Sequence, residues 1–128
     1  MSRNIEEYEV FQLAHALVLK IYQSTQRFPP EEKFGLVLQM RRSAYSIPMN
    51  LVEGGMRLSP GEFKQFVNIA RGSCAEVQYQ LRLAHELEYI CQDEFDSLNS
   101  EYASVGRMLT NLMKKLRARG QKPSASTP

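Results

Sequence analysis

The sequence predicts an all-α protein, an antiparallel up-down-up-down four-helix bundle. Three observations carry that prediction. Apolar residues recur at alternating steps of three and four along most of the chain, the signature of one helix face. A proline pair, a capping box and glycines punctuate those stripes at about 25–30-residue intervals, leaving short links. No segment alternates apolar and polar residues with period two, so strands are not expected. At 128 residues the chain is one domain, large enough to bury a core without metals or disulfides. Residues 1–120 are assigned to the bundle and 121–128 to a disordered tail rich in Ser and Pro.

The first helix is expected from Asn4, with Glu7 as the reciprocal acid of a cap, to about Gln26. Its stripe is Phe11, Ala14, Val18, Ile21, Thr25 and Phe28, widened by Leu13, Leu17 and Tyr22. Pro29-Pro30 ends it, because neither residue has an N–H to donate. Glu31 and Glu32 then suit a second helix N-terminus, and that helix is expected to reach about Arg57. Its main stripe is Val37, Met40, Ala44, Ile47, Leu51, Gly54 and Leu58. Pro48 interrupts the pattern chemically but not its phase, which predicts a kink rather than a break.

Ser59-Pro60-Gly61-Glu62 is the clearest local signal: an N-cap serine, a proline at the first helical position and an acid placed to bond back. The third helix follows with Phe63, Phe66, Val67, Ala70, Cys74, Val77, Leu81, Ala84 and Leu87, ending near Cys91. Asp93 is expected to cap the fourth. Its heptad is the cleanest, with Phe95, Leu98, Tyr102, Val105, Leu109, Leu112 and Leu116, and Gly120 is expected to stop it.

The second helix is apolar over more of its circumference than a surface helix needs. A second stripe, Leu38, Tyr45, Met49, Val52 and Met56, lies beside the first. The surplus of Met and Tyr predicts a second buried surface, and these five residues are the candidate oligomer interface. A polar row completes the helix. Of it, Asn50, Glu53 and Arg57, with Ser59 and Glu62 beyond, are the candidate structural network. That row reads either as a solvated face with one ion pair or as a polar seam to the third helix, through Glu62, Arg71, Ser73 or Glu76.

Catalysis finds no support. His15 and His85 form no metal-ligand spacing, and Gly54-Gly55 lacks the Lys-Ser/Thr of a phosphate loop. Cys74 and Cys91 read as buried, inert thiols in a reducing compartment. No metal or cofactor is expected. The N-terminus has no apolar signal core and no run is long enough to span a membrane, so a cytoplasmic protein is expected. Net charge is only +2, yet from Glu94 onward six Lys/Arg stand against three acids, and the five bases after Arg107 all lie beyond Leu112. Arg41, Arg42, Lys114, Lys115, Arg117 and Arg119 are therefore the candidate groups for RNA or DNA phosphates. No aromatic platform accompanies them, so sequence-specific reading is not expected. Two further readings stand beside this one: a scaffold for a protein partner, and a small ligand held between subunits near Glu53.

The motifs Thr25-x-x-Phe28-Pro29, Phe34-Gly35-Leu36, Gln39-x-Arg41-Arg42-x-Ala44, Ser46-Ile47-Pro48, Asn50-x-x-Glu53-Gly54 and Arg57-x-Ser59 occur in one register. Glu62-Phe63-x-x-Phe66, Ile69-Ala70-x-Gly72-Ser73 and Glu76-x-x-x-Gln80-Leu81 continue it. Together they resemble the small proteins encoded in 23S ribosomal RNA intervening sequences, over about Phe11 to Leu116. The accessory variability protein of diversity-generating retroelements belongs to the same superfamily. The resemblance implies an antiparallel bundle assembled as a homopentameric ring, with no known catalytic residues. In the retroelement relatives it implies a basic surface for nucleic acid and for a reverse transcriptase. The chain departs modestly from the pattern, with Leu51-Val52 where an Ile-Ala pair is commoner.

Overall fold

A computed structural model describes residues 4–121. Among them are four long helices and no strand: α1 (Glu9–Thr25), α2 (Leu36–Gly55), α3 (Pro60–Glu86) and α4 (Gln92–Gln121). Short 3-10 turns at Ile5–Glu7 and Pro30–Glu32 precede α1 and α2. None of these helices is long and apolar enough to cross a membrane.

The stripes become one core. Leu17, Ile21, Met40, Ile47, Leu51, Phe63, Val67, Val77, Leu81, Tyr102, Leu109 and Leu116 are all essentially inaccessible. The layout is fixed by cross-helix contacts. Ser46 meets Ser73 and Gln80 meets Ser43 between α2 and α3. The Cys74 thiol donates to the Tyr102 carbonyl between α3 and α4. Lys20 and Arg27 of α1 meet Glu101 and Glu94 of α4. Pro48 is buried, and α2 runs through it unbroken.

The serine half of the Ser59 capping box forms, its Oγ accepting from the Glu62 amide at 3.1 Å with Pro60 at the start of the helix, while the expected return bond from the Ser59 amide to the Glu62 carboxylate is not made among the described residues. Other boundaries differ from the sequence expectations. Asn4 makes no side-chain cap, and the chain takes a 3-10 turn before α1 begins at Glu9. Pro30, Glu31 and Glu32 form their own 3-10 turn rather than the first turn of α2. The third helix stops before Cys91. Leu87 ends it, Glu88 adopts a left-handed φ of 65°, and the amides of Glu88 and Tyr89 return to the carbonyls of His85 and Ala84. This closure usually takes glycine. Here the next residue holds it: Tyr89 packs on Phe28 at 5.1 Å and donates to Glu32 Oε2 at 2.8 Å.

At the other end of that link, α4 starts at Gln92, so Asp93 lies in its first turn instead of capping it. Gly120 does not stop α4, which continues to Gln121. One glycine removes little when the residues before it are strong helix formers. The expected tail lies, beyond Gln121, outside the described residues. Leu58, placed in the α2 stripe by its phase, falls after the helix end and is 97% exposed.

Candidate functional site

The six candidate cations do not form one surface. Arg41 is committed to the fold: its Nε donates to Thr25 Oγ1 at 2.9 Å, its Nη2 donates to the Tyr22 carbonyl, and its guanidinium lies 4.4 Å from the Tyr22 ring centre. It clamps α2 to α1. Arg42, the next residue, is exposed and lines a groove between α2 and α3 with Tyr45, Met49, Asn50 and Glu76. Lys114, Lys115, Arg117 and Arg119 are exposed on the last turns of α4. Lys115 and Arg119 line a hollow with Tyr8 and Glu9 at the start of α1.

The candidate polar network divides in two. Asn50 joins a real seam: its Nδ2 donates to the Ser46 carbonyl at 2.8 Å and Ser46 Oγ at 3.0 Å, and that oxygen sits 2.8 Å from Ser73 Oγ. Gln80 extends the seam by donating to Ser43 Oγ at 3.1 Å. Glu53 and Arg57 instead form an exposed i,i+4 pair at 3.0 Å, with the guanidinium over the Phe66 ring. Glu62 is exposed and contributes its amide to the Ser59 cap. Periodicity does not pair Ser43 with Gln80, because each falls at the edge of an apolar stripe and only the α2–α3 register brings them together.

The second apolar stripe of α2 faces outward. Met56 is 79% exposed, Met49 59%, Val52 44% and Leu38 39%, with Tyr45 half-buried beside them. This is an uncovered apolar helix face on a folded chain, of the kind that marks an interaction surface.

Neither histidine joins a cluster. His15 stacks on Phe11 and His85 on Phe95. Among the described residues no group of His, Cys, Asp and Glu is placed to hold a metal ion. The cysteines differ from each other, against the expectation that both are buried. Cys74 is in the core, while Cys91 is exposed in the link before α4, because α3 ends early. Burial pushes the Cys74 thiol up to about 11 from 9.0, partly offset by a backbone hydrogen bond from Gly106.

Two consequences follow for Cys74. A thiol reagent at neutral pH is expected to modify Cys91 rapidly and Cys74 only on unfolding, read by mass spectrometry of the two peptides. Fast native labelling of Cys74 would contradict its burial. The folded chain also holds the Cys74 proton where the unfolded chain has begun to lose it. Stability from this group is therefore full below about pH 9 and declines as pH rises toward about 11.

Comparison with known proteins places these features. A family profile described as 23S rRNA-intervening sequence protein matches residues 6–111. A solved structure from Bacteroides thetaiotaomicron VPI-5482, described as a protein with unknown function from the S23 ribosomal protein family, superposes with a TM-score of 0.74 at 25% identity. The similarity covers 82% of this chain and 98% of that one. A comparison with curated proteins gave no match. With the profile spanning all of α1, α2 and α3 and most of α4, the chain belongs to the 23S rRNA-intervening sequence protein family.

Proposed function

We propose that this protein is a non-enzymatic, cytoplasmic, self-associating bundle of up-down-up-down order that binds the phosphates of RNA or DNA without strong sequence preference. The observation that carries the reading is the basic half of α4. Lys114, Lys115, Arg117 and Arg119 stand exposed, and the ion pairs among the described residues involve other cations. Contacts such as Ser43 with Gln80 and Lys20 with Glu101 support the antiparallel order. The open α2 stripe supports self-association, for which we propose a ring of five. A relation to the retroelement accessory proteins belongs to the same reading. In such a ring each basic end repeats, so modest charge per subunit sums to a strong field for a polyanion.

Binding of a labelled single-stranded oligonucleotide is expected to weaken steeply with salt, measured by fluorescence anisotropy. Changing Lys114, Lys115, Arg117 and Arg119 together to Ala should flatten the log–log salt slope by about 2.8 if each side chain meets one phosphate. No binding by the unaltered protein at low salt would overturn the reading. The second reading, a scaffold for a protein partner, is favoured by the same α2 stripe. It predicts a partner whose capture survives nuclease treatment.

A further inference from the structure

The wall between α3 and α4 carries a groove of about 560 Å³ with an unusual charge pattern. Arg71 reaches into it from α3, and Arg107 and Lys114 from α4, and no acid lines it. The α1–α4 seam on the other side of α4 is its internal contrast. There Lys20 and Arg27 are neutralised by Glu101 and Glu94 at 2.9 and 2.6 Å. Among the described residues the two groove arginines bond to neutral atoms: Arg71 Nη1 donates to Met113 Sδ at 3.2 Å, and Arg107 Nη2 to Ser104 Oγ at 2.9 Å.

The helix dipole does not account for these residues. Its attraction for cations fades within the last turn, whereas Arg107 and Lys114 lie well before the end of α4 at Gln121. They are two turns apart on one face, about 10.5 Å along the axis. Arg71, bonded at Met113, joins them from across the groove. Arg117, one turn beyond Lys114, continues the row to the basic end of the helix.

We infer that this groove is the track for the sugar–phosphate backbone of a single nucleic-acid strand, with Arg71, Arg107 and Lys114 as its phosphate-binding residues. The inference rests on the nucleic-acid reading above and places the strand within it. The floor favours a strand over an acidic peptide. Ala75, Ala103 and Gly106 offer no apolar socket for a peptide anchor, which protein partners usually need. Gln78, Thr110 and Asn111 add neutral hydrogen-bonding groups along the walls. With no aromatic in the lining, the groove grips phosphates and leaves bases unread.

The test is a salt titration of a single-stranded RNA dodecamer on the full chain, comparing Arg71→Gln/Arg107→Gln with Arg71→Lys/Arg107→Lys. Three phosphate contacts alone make affinity fall about 18-fold between 50 and 200 mM salt. Losing two of them flattens the slope by about 1.4, while the lysine pair keeps it. Both arginines are exposed, so an unchanged circular dichroism spectrum is expected for each variant. A glutamine pair with the unaltered slope overturns the groove and leaves the general reading standing. No binding by the unaltered chain overturns both. Displacement of the RNA by an equal charge of poly-glutamate, at equal affinity, overturns the choice of a nucleic acid.

Discussion

Replacing Gly54 with alanine is expected to destabilise the fold by about 2 kcal/mol, although alanine is the better helix former by up to about 1 kcal/mol. A Cβ at this position would lie 2.8 Å from Phe63 Cδ1 and 2.8 Å from Phe66 Cβ, far inside contact distance. Neither neighbour gives way easily. Phe63 is fully buried against Tyr8, and the Phe66 Cβ moves only with the α3 backbone. The methyl therefore pushes α2 from α3 beside the Ser59 turn that joins them. Thermal unfolding at fixed protein concentration should show a midpoint lower by roughly 8 °C. Gly55→Ala is the control. Its Cβ meets Ile5 Cβ at 3.2 Å, on a short 3-10 turn that can shift, so the helix-propensity gain offsets most of the clash. Equal stability of Gly54→Ala and the unaltered chain would show that the close approach of α2 and α3 is not as described.

That close approach was half legible in the sequence. The stripe phase put Gly54 on the buried side of α2, and the capping box at Ser59 put Phe63 and Phe66 just after the turn. What the residues alone do not state is distance, so the reason for glycine there appears only in three dimensions. The same division runs through the chain. Helices whose ends depend on local chemistry, such as the start of α3, were readable. The end of α3 depends on Tyr89 reaching Phe28 and Glu32 across the bundle, and no neighbouring glycine announces it.

The candidate site divides along the same line. Arg41 looked like a free cation because its partners, Thr25 and Tyr22, lie on another helix. Arg71, a candidate for the α2 seam in the sequence, bonds instead to Met113 of α4, on the groove that Arg107 also lines. The two arginines are far apart in sequence, and only the α3–α4 register sets them on one groove. The outward stripe of α2, by contrast, is a property of a single helix, and periodicity found all of it.

That stripe carries the other large prediction. The double change Met49→Asp/Val52→Asp is expected to convert the proposed assembly to monomers without unfolding them. Both side chains are already exposed on the isolated chain, so carboxylates there remain hydrated and the core is untouched. In an assembly that covers the stripe, the same carboxylates lose water against apolar side chains, a penalty of about 1–3 kcal/mol each. Two such groups at one contact weaken it by about 30-fold to 20,000-fold, before counting the apolar burial lost with Met and Val. Light scattering at micromolar concentration should then give a mass several times 14.7 kDa for the unaltered chain and close to 14.7 kDa for the variant. The helical circular dichroism signal should be retained. An unaltered chain that is already monomeric would refute self-association. A variant that keeps the larger mass would move the contact elsewhere and leave the apolar stripe to a different protein. Oligonucleotide binding by the monomeric variant links the two surfaces. A ring that concentrates the α4 basic ends loses affinity on dispersal even though Lys114, Lys115, Arg117 and Arg119 are unchanged, because a strand spanning two subunits then holds only one.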